Sequence, residues 1–535
     1  MAKLSAIDQI EVARHFKGSP AAFPVLNYEW GWLLLSGMCG AIVGFAAPGL
    51  EQWYLPWVAM SSLVILTALA RHPWQASWRG FFFGTAYNLV YLSWFLTFRP
   101  AFCEGAFVSS PGFVAFAFWI LVSAWLGVFV SVFTCLLRAI PLTGGWLPLK
   151  HQNRLHWPTF VVVPLLWILV DRLCNTTQLH GFPWAALHYS QYKQLAILQS
   201  AATIGGVGIS AWIMLVSTNV AAFIGFGQSR LRSLTCGNMR SLALNTAFTA
   251  LISLALLFFG ASRLEQEKKF LPSKQKVIVT AMQASLSSKI HKADSVAIVD
   301  KYVKLAAQAP SGSICVWPEW SMPMNFSGNQ KALEYASALP AARKQDWILG
   351  GCDKDAQGRT FNAVCAITRE GKVLPEIYHK RYLVPLGEYT PGWIKETPLG
   401  VMLYGLNKRY SDTSSGSKAV VYDLGNIKVA PVICFESAYP KLCAQSVRSG
   451  GELLVDSSDN SWFCRSILSD QMVSFAVMRA IENHRSFVFS TAFGPSTIVD
   501  SSGHILRQAP HEELAGISCS VPVEHDTTAY SMWCF

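Results

Sequence analysis

The sequence predicts a polytopic α-helical membrane domain followed by a layered α/β domain. Three observations carry that reading. Only 14% of the 535 residues are charged and 52% are hydrophobic, against about 25% charged in an average soluble domain. The charge is unevenly placed: residues 1–262 are about 8% charged and residues 263–535 about 20%. From Lys276 onward, long apolar stretches give way to short apolar runs separated by polar turns.

Seven nearly charge-free stretches in the first half approach the ~20 residues that a helix needs to cross a bilayer. They are Trp30–Pro48, Tyr54–Ala70, Gly80–Phe98, Phe113–Leu137, Pro158–Val170, Val207–Phe226 and Ser241–Gly260. The division is therefore an N-terminal segment 1–29, a membrane domain 30–262 and a catalytic domain 263–535. The first stretch starts too far from the N-terminus, and lacks the small-residue site, for a cleaved signal peptide.

Lys and Arg set the orientation. With the N-terminus in the cytoplasm, Lys3, Arg14, Lys17, Arg71, Arg79, Arg138, Lys150, Arg154, Arg230, Arg232 and Arg240 fall inside, and only Arg99, Arg172 and Lys193 fall outside. That distribution obeys the positive-inside rule and puts the second half outside the cytoplasm. It also accounts for the net charge of +11, most of which belongs to the membrane half. A nucleic-acid partner is excluded, because that would need the basic groups gathered on a soluble face. No C-x-x-C, H-E-x-x-H or zinc-spaced His/Cys cluster occurs, so no metal and no cofactor is expected. Gly205-Gly-Val-Gly208 has no preceding strand and no following Lys-Ser/Thr, which favours close helix packing over a phosphate loop.

In the second half, Val277–Met282, Ile314–Trp317, Trp347–Gly350, Ala363–Thr368, Ile427–Ile433, Leu453–Val455 and Phe487–Ser490 are predicted strands. Ala293–Gln308, Gln330–Ala338 and Ile467–Asn483 are predicted helices between them. Three reactive groups follow apolar runs, where α/β folds display such groups: Glu319 in Val316-Trp-Pro-Glu319, Lys380 in Tyr378-His-Lys380 and Cys434 in Val432-Ile-Cys434. A base, an ammonium and a thiol suffice for acyl transfer, since a thiol becomes a strong nucleophile once its proton is removed. Spacing alone does not join them, and each could be a structural thiol or a solvated charge.

The motifs in their order supply the connection. Val316-Trp-Pro-Glu319, Asn362-Ala363, His379-Lys380, Leu383-Val-Pro385, Gly387-Glu388 and Ile433-Cys434-Phe-Glu436 resemble those of the carbon-nitrogen hydrolases, the nitrilase superfamily. With Gly181-Phe-Pro-Trp184 and Tyr189-Ser-Gln191 ahead of them and Arg479-Ala480 and Glu482 behind, the whole chain is similar to the apolipoprotein N-acyltransferases within that superfamily. The resemblance implies an αββα sandwich with Glu319 as general base, Lys380 as oxyanion stabiliser and Cys434 as nucleophile. It further implies Glu388 and Glu436 as supporting carboxylates, with Trp184, Asn362, Phe435 and Trp462 as candidate substrate contacts. The implied activity moves a fatty acyl chain from a phospholipid, through a Cys434 thioester, to the α-amine of a diacylglyceryl-modified apolipoprotein. The implied location is the inner membrane, with the catalytic domain in the periplasm. An amidase or nitrilase anchored in the membrane is the alternative, and a non-catalytic scaffold or transporter a third reading.

The chain departs from the family pattern in places. Asp459-Asn460 reverses two polar residues, Cys464 stands where the family has glycine, and Ala492-Phe493-Gly494 replaces paired asparagines before glycine. A tryptophan of the family has no counterpart, with Lys292 near its position. Val521–Phe535 is too short and polar for the further membrane helix usual in the family, which is either absent or outside this sequence.

Overall fold

The computed structural model describes residues 29–98, 111–144, 149–151, 154–174, 182–228, 231, 239–284, 295–385, 387–389, 392–397, 413–463 and 465–534. The N-terminal segment to residue 28, Arg99, Gly181, Arg230, Arg232, Lys292 and Cys464 lie outside the described residues.

Each of the seven apolar stretches overlaps a helix: α1 (Glu29–Gly44), α2 (Leu55–Ala68), α3 (Pro73–Tyr91), α4 (Pro111–Ala139), α5 (Thr159–Cys174), α6 (Ala201–Ile224) and α7 (Met239–Phe270). Among the described residues, three helical stretches are long and apolar enough to cross a membrane: Gly112–Ala139, Ala201–Ile224 and Met239–Ser273. At about 1.5 Å per residue, the 16 residues of α1 and of α5 reach less than the ~30 Å hydrocarbon core. Leu244, Leu251, Leu254 and Phe258 of α7 stand exposed on the long apolar helix, a row of large side chains that suits lipid.

One reading needs correcting and another gains detail. Arg79, assigned to a loop, lies inside α3, because Pro73 starts that helix seven residues before Gly80. Its buried guanidinium donates to the Leu66 carbonyl at 3.0 Å and pairs with Glu29 at 3.5 Å. The glycines at 205–208 do more than pack helices. Gly205 has φ +68° and kinks α6, and a Cβ there would meet the Tyr530 ring at 2.3 Å. Only glycine adopts that conformation cheaply, and the kink admits groups from the second half into the helical layer.

That half is built on two sheets. The first holds β1 (Lys276–Gln283), β2 (Ile314–Val316), β3 (Asp346–Lys354), β4 (Thr360–Ile367) and β5 (Tyr378–His379). The second holds β6 (Tyr422–Asp423), β7 (Lys428–Ile433), β8 (Leu453–Ser458), β9 (Ser486–Thr491), β10 (Thr497–Val499) and β11 (Ile505–Gln508) in sequence order, with β7, β8 and β9 parallel. β12 (Ala515–Pro522) returns to pair with β1, giving the first sheet the order β12-β1-β2-β3-β4-β5.

The alternation of side chains shows the layers. Val279, Ala281, Ile314, Val316 and Val364 of the first sheet share one buried cluster with Val429, Ile433, Leu453 and Val455 of the second. The opposite face of the first sheet, with Cys315, Trp347 and Cys365, is covered by α8 (Ser295–Gln308) and α9 (Gln330–Arg343). The opposite face of the second, with Ala430, Val432, Leu454 and Phe487, packs on α10 (Pro440–Arg448) and α11 (Leu468–Asn483). The result is an αββα sandwich. The cluster under α11 continues without a break into Tyr87, Trp94, Trp184 and Ile213 of the membrane half. A short terminal helix, α12 (Ala529–Trp533), seats Tyr530 in the kink of α6.

Candidate active site

Glu319, Lys380 and Cys434 arrive on three separate elements at one end of the sandwich. Pro318 cannot extend the ladder of β2, and Glu319 follows it into a turn. Lys380 comes directly after β5, its backbone N–H bonding to the Asn362 carbonyl of β4 at 2.8 Å. Cys434 follows β7 with φ +54°, a left-handed conformation that turns the chain out of the strand at the thiol.

The polar groups close into a ring. The Lys380 ammonium donates to Glu319 at 3.2 Å and to Glu388 at 2.9 Å. Asn362 donates from the same Nδ2 to Glu319 and, at 2.9 Å, to Glu388. A backbone N–H, that of Val384, holds the other Glu388 oxygen at 2.8 Å. Glu319, Lys380 and Asn362 are all buried. Burial opposes the Lys380 charge, but Glu319, Glu388 and Cys434 together hold the ammonium well above the ordinary lysine range. Burial raises the Glu319 carboxyl; Lys380 opposes that and Glu388 adds to it, so the group stays above the usual carboxylate range. Burial also pushes the Cys434 thiol up, reinforced by Glu319 and opposed by Lys380. The thiol therefore rests protonated and needs a base to become a nucleophile. Glu319 is suited to that task.

The remaining candidates fall into different places. Glu436 is fully buried and makes no bond to the ring. It accepts from the backbone N–H groups of Ile433 at 2.8 Å, Arg381 at 2.6 Å and Tyr382 at 3.1 Å, and from the Tyr378 hydroxyl at 2.7 Å. That ties the cysteine turn to the segment bearing Lys380. Phe435 lies against Trp184, ring centroids 5.9 Å apart and 16° from parallel, and Phe182 stacks on both. Trp462 stacks on Phe98 at 6.3 Å, further along the same aromatic surface. The family departures are internally consistent. Asn460 donates to the Gly494 carbonyl at 2.7 Å and accepts from Thr491, so its amide holds the Ala492–Gly494 turn.

One buried group escaped the sequence reading, and two others were read there without their pairing. Asp456, in the middle of β8, accepts the Cys434 backbone N–H at 2.6 Å, while its second oxygen is buried with no hydrogen bond. In the sequence it stands between Leu453-Leu-Val455 and Ser457-Ser458, where nothing marks it apart from an ordinary polar residue. Arg479 and Glu482, known only as motif letters, form a fully buried ion pair at 2.9 Å. Among the described residues, Glu267, His484 and Glu524 could offer three metal ligands. Lys274 already bonds both carboxylates, at 2.5 and 2.7 Å, so ion pairs satisfy this cluster.

Comparison with known proteins adds independent findings. Residues 278–524 match the carbon-nitrogen hydrolase family model, and residues 39–219 match the model of the apolipoprotein N-acyltransferase N-terminal domain. The chain is 27% identical to the apolipoprotein N-acyltransferase of Geobacter metallireducens, over 94% of this chain and 90% of that one. It is 27% identical to the Nitrosomonas europaea enzyme of the same name, over 88% and 87% of the two chains, and 25% identical to that of Vibrio parahaemolyticus, over 93% and 92%. Both halves are thus similar to relatives of one kind. This does not favour the anchored hydrolase.

Proposed function

Because the chain belongs to the apolipoprotein N-acyltransferase family, we propose that it N-acylates lipoproteins by two acyl transfers through Cys434. In the first, Glu319 takes the thiol proton as sulfur attacks an ester carbonyl of a phospholipid. The oxyanion of the tetrahedral intermediate forms beside the Lys380 ammonium, in a site where a fixed donor is worth about 3–4 kcal/mol. The carbon–oxygen bond breaks, the lysophospholipid oxygen takes the proton back from Glu319, and a thioester remains. In the second, the α-amine of a diacylglyceryl-cysteine attacks the thioester and gives a proton to Glu319. The carbon–sulfur bond breaks, the amide leaves and the thiolate recovers the proton.

The observation that supports this reading is the arrangement around the thiol. Glu319, Lys380 and Asn362, all buried, close into a ring with the partly buried Glu388. The charges of Glu319 and Lys380 act on the Cys434 thiol, and Phe182 and Trp184 of the membrane half stack on Phe435, the next residue. Such an apolar wall suits an acyl chain, which leaves lipid only at a cost of about 0.8 kcal/mol per exposed CH₂. It also keeps water from the thioester. Both substrates are held to the outer face of the inner membrane, where the Lys/Arg pattern directs the catalytic domain.

Mass spectrometry tests the reading. Purified protein incubated with labelled phospholipid should gain one acyl group on Cys434, and a diacylglyceryl-cysteine peptide should discharge it as an amide. No adduct on folded wild-type protein, or labelling that survives Cys434→Ala, refutes the proposal. Discharge only as free fatty acid assigns the activity to hydrolysis instead.

A further inference from the structure

Gln471 on α11 belongs to the catalytic half and is completely buried, yet its amide is spent on the membrane half. Its Oε1 accepts the indole N–H of Trp94 at 3.0 Å and that of Trp184 at 2.5 Å, and its Nε2 donates to the Tyr91 carbonyl at 2.8 Å. An indole can only donate and a carbonyl can only accept, so one orientation of the amide satisfies all three partners. Trp94 and Trp184 lie 5.6 Å apart. Trp184 continues through Phe182 and Phe435 to the residue next to the thiol, and Trp94 meets Phe463 edge-on at 4.9 Å. One side chain thus fixes the rotation of both tryptophans that build the aromatic surface at Cys434.

We propose that Gln471 is a positioning residue that locks Trp94 and Trp184 as one wall of the acyl-chain site, and so sets the enzyme's preference for long chains. This rests on the acyl-transfer reading above. Each methylene held against a dry apolar wall multiplies affinity about fourfold. A wall whose indoles lose their common acceptor stops supplying that factor for the distal methylenes, while a short chain never reaches them.

The test is a ratio. Cys434 acylation is timed with dipalmitoyl and with dihexanoyl phosphatidylethanolamine in mixed micelles, using the full-length wild type and Gln471→Leu. The ratio of long- to short-chain rates should fall at least about tenfold in Gln471→Leu, the worth of roughly two methylenes. Gln471→Glu, whose protonated carboxyl offers the same acceptor and donor, should lie nearer the wild-type ratio. An unchanged ratio overturns the proposal. So does an equal loss with both lipids, which assigns Gln471 to packing alone. If Gln471→Leu does not fold, Trp184→Phe removes one of the two indole donors and must shift the ratio the same way, or the proposal falls. Wild-type protein that gains no adduct from either lipid refutes the acyl-transfer reading itself, a distinct result.

Discussion

At the residue scale, the site is a set of charges that burial would suppress singly and that survive by sharing. Lys380 keeps its proton because Glu319 and Glu388 both face it. Glu319, raised by burial, must be ionised to act as base. Acylation of Cys434 should therefore fall as pH drops through a value above the ordinary carboxylate range, followed by the rate of adduct formation. Glu319→Gln should lose about 10²–10⁴ in rate and, with it, that acidic limb. Asp456 gives a prediction of stability. Burial raises it well above the ordinary range, so the folded chain prefers the neutral acid while the unfolded chain ionises near the usual value. Its folded-state preference is fully expressed below the unfolded pKa and is lost as pH rises toward the raised folded one, by about 1.4 kcal/mol per unit. Asp456→Asn keeps an oxygen for the Cys434 N–H and does not titrate. Its melting temperature in detergent, relative to wild type, should be higher at pH 8 than at pH 5; the reverse trend would mean that Asp456 is held as an anion.

At the element scale, α11 is the beam between the two halves, and its buried ion pair reaches both. Glu482 accepts the Gly206 backbone N–H in the kinked α6 at 3.0 Å, and Arg479 points to the carbonyls of Ser437 and Ala438, just past Cys434, at 3.5 Å each. Removing one partner strands a buried charge, so Glu482→Ala should cost about 3–5 kcal/mol. The double change Arg479→Met with Glu482→Leu should cost less than Glu482→Ala alone, by thermal unfolding in the same detergent. Legibility in the sequence follows the same physics. The seven apolar stretches were plain because each carries almost no charge. The core strands were plain because both their faces are buried. β12 was not: it lies at a sheet edge with the mixed sequence Ala-Gly-Ile-Ser-Cys-Ser and is covered only in part, so it lacks a continuous apolar run. β5 and β6 are two residues each and have no period to detect. Glu319, Lys380 and Cys434 were each visible as polar groups after apolar runs, but their union depends on sheet order, which local pattern does not encode. Gln471 and Asp456 read as ordinary polar letters, because what distinguishes them is partners far away in the chain.

At the scale of the whole molecule, the orientation decides whether the chemistry and its lipids meet. Arg71 and Arg138 mark one end of the helical layer, where the Arg138 guanidinium donates to the carbonyls of Ala70 and Arg71 at 2.7 and 3.1 Å. The catalytic sandwich joins the layer through other segments: Thr97 donates to the Phe463 carbonyl at 2.7 Å, Trp94 and Trp184 bond to Gln471, and Tyr530 fills the kink of α6. Positive residues stay cytoplasmic because moving them across the membrane is costly during insertion. The proposed topology therefore has the end bearing Arg71 and Arg138 in the cytoplasm and the sandwich on the far side. Two engineered thiols test this. Ser417 is exposed on the sandwich and Ala139 is exposed at the last turn of α4. In intact spheroplasts, a membrane-impermeant maleimide should modify Ser417→Cys, and should modify Ala139→Cys only after permeabilisation, with wild-type protein giving the background of native thiols. Modification of Ala139→Cys alone would invert the topology. Cys434 would then face the cytoplasm, away from the leaflet in which its acceptor is anchored, and the two-step transfer could not operate as described.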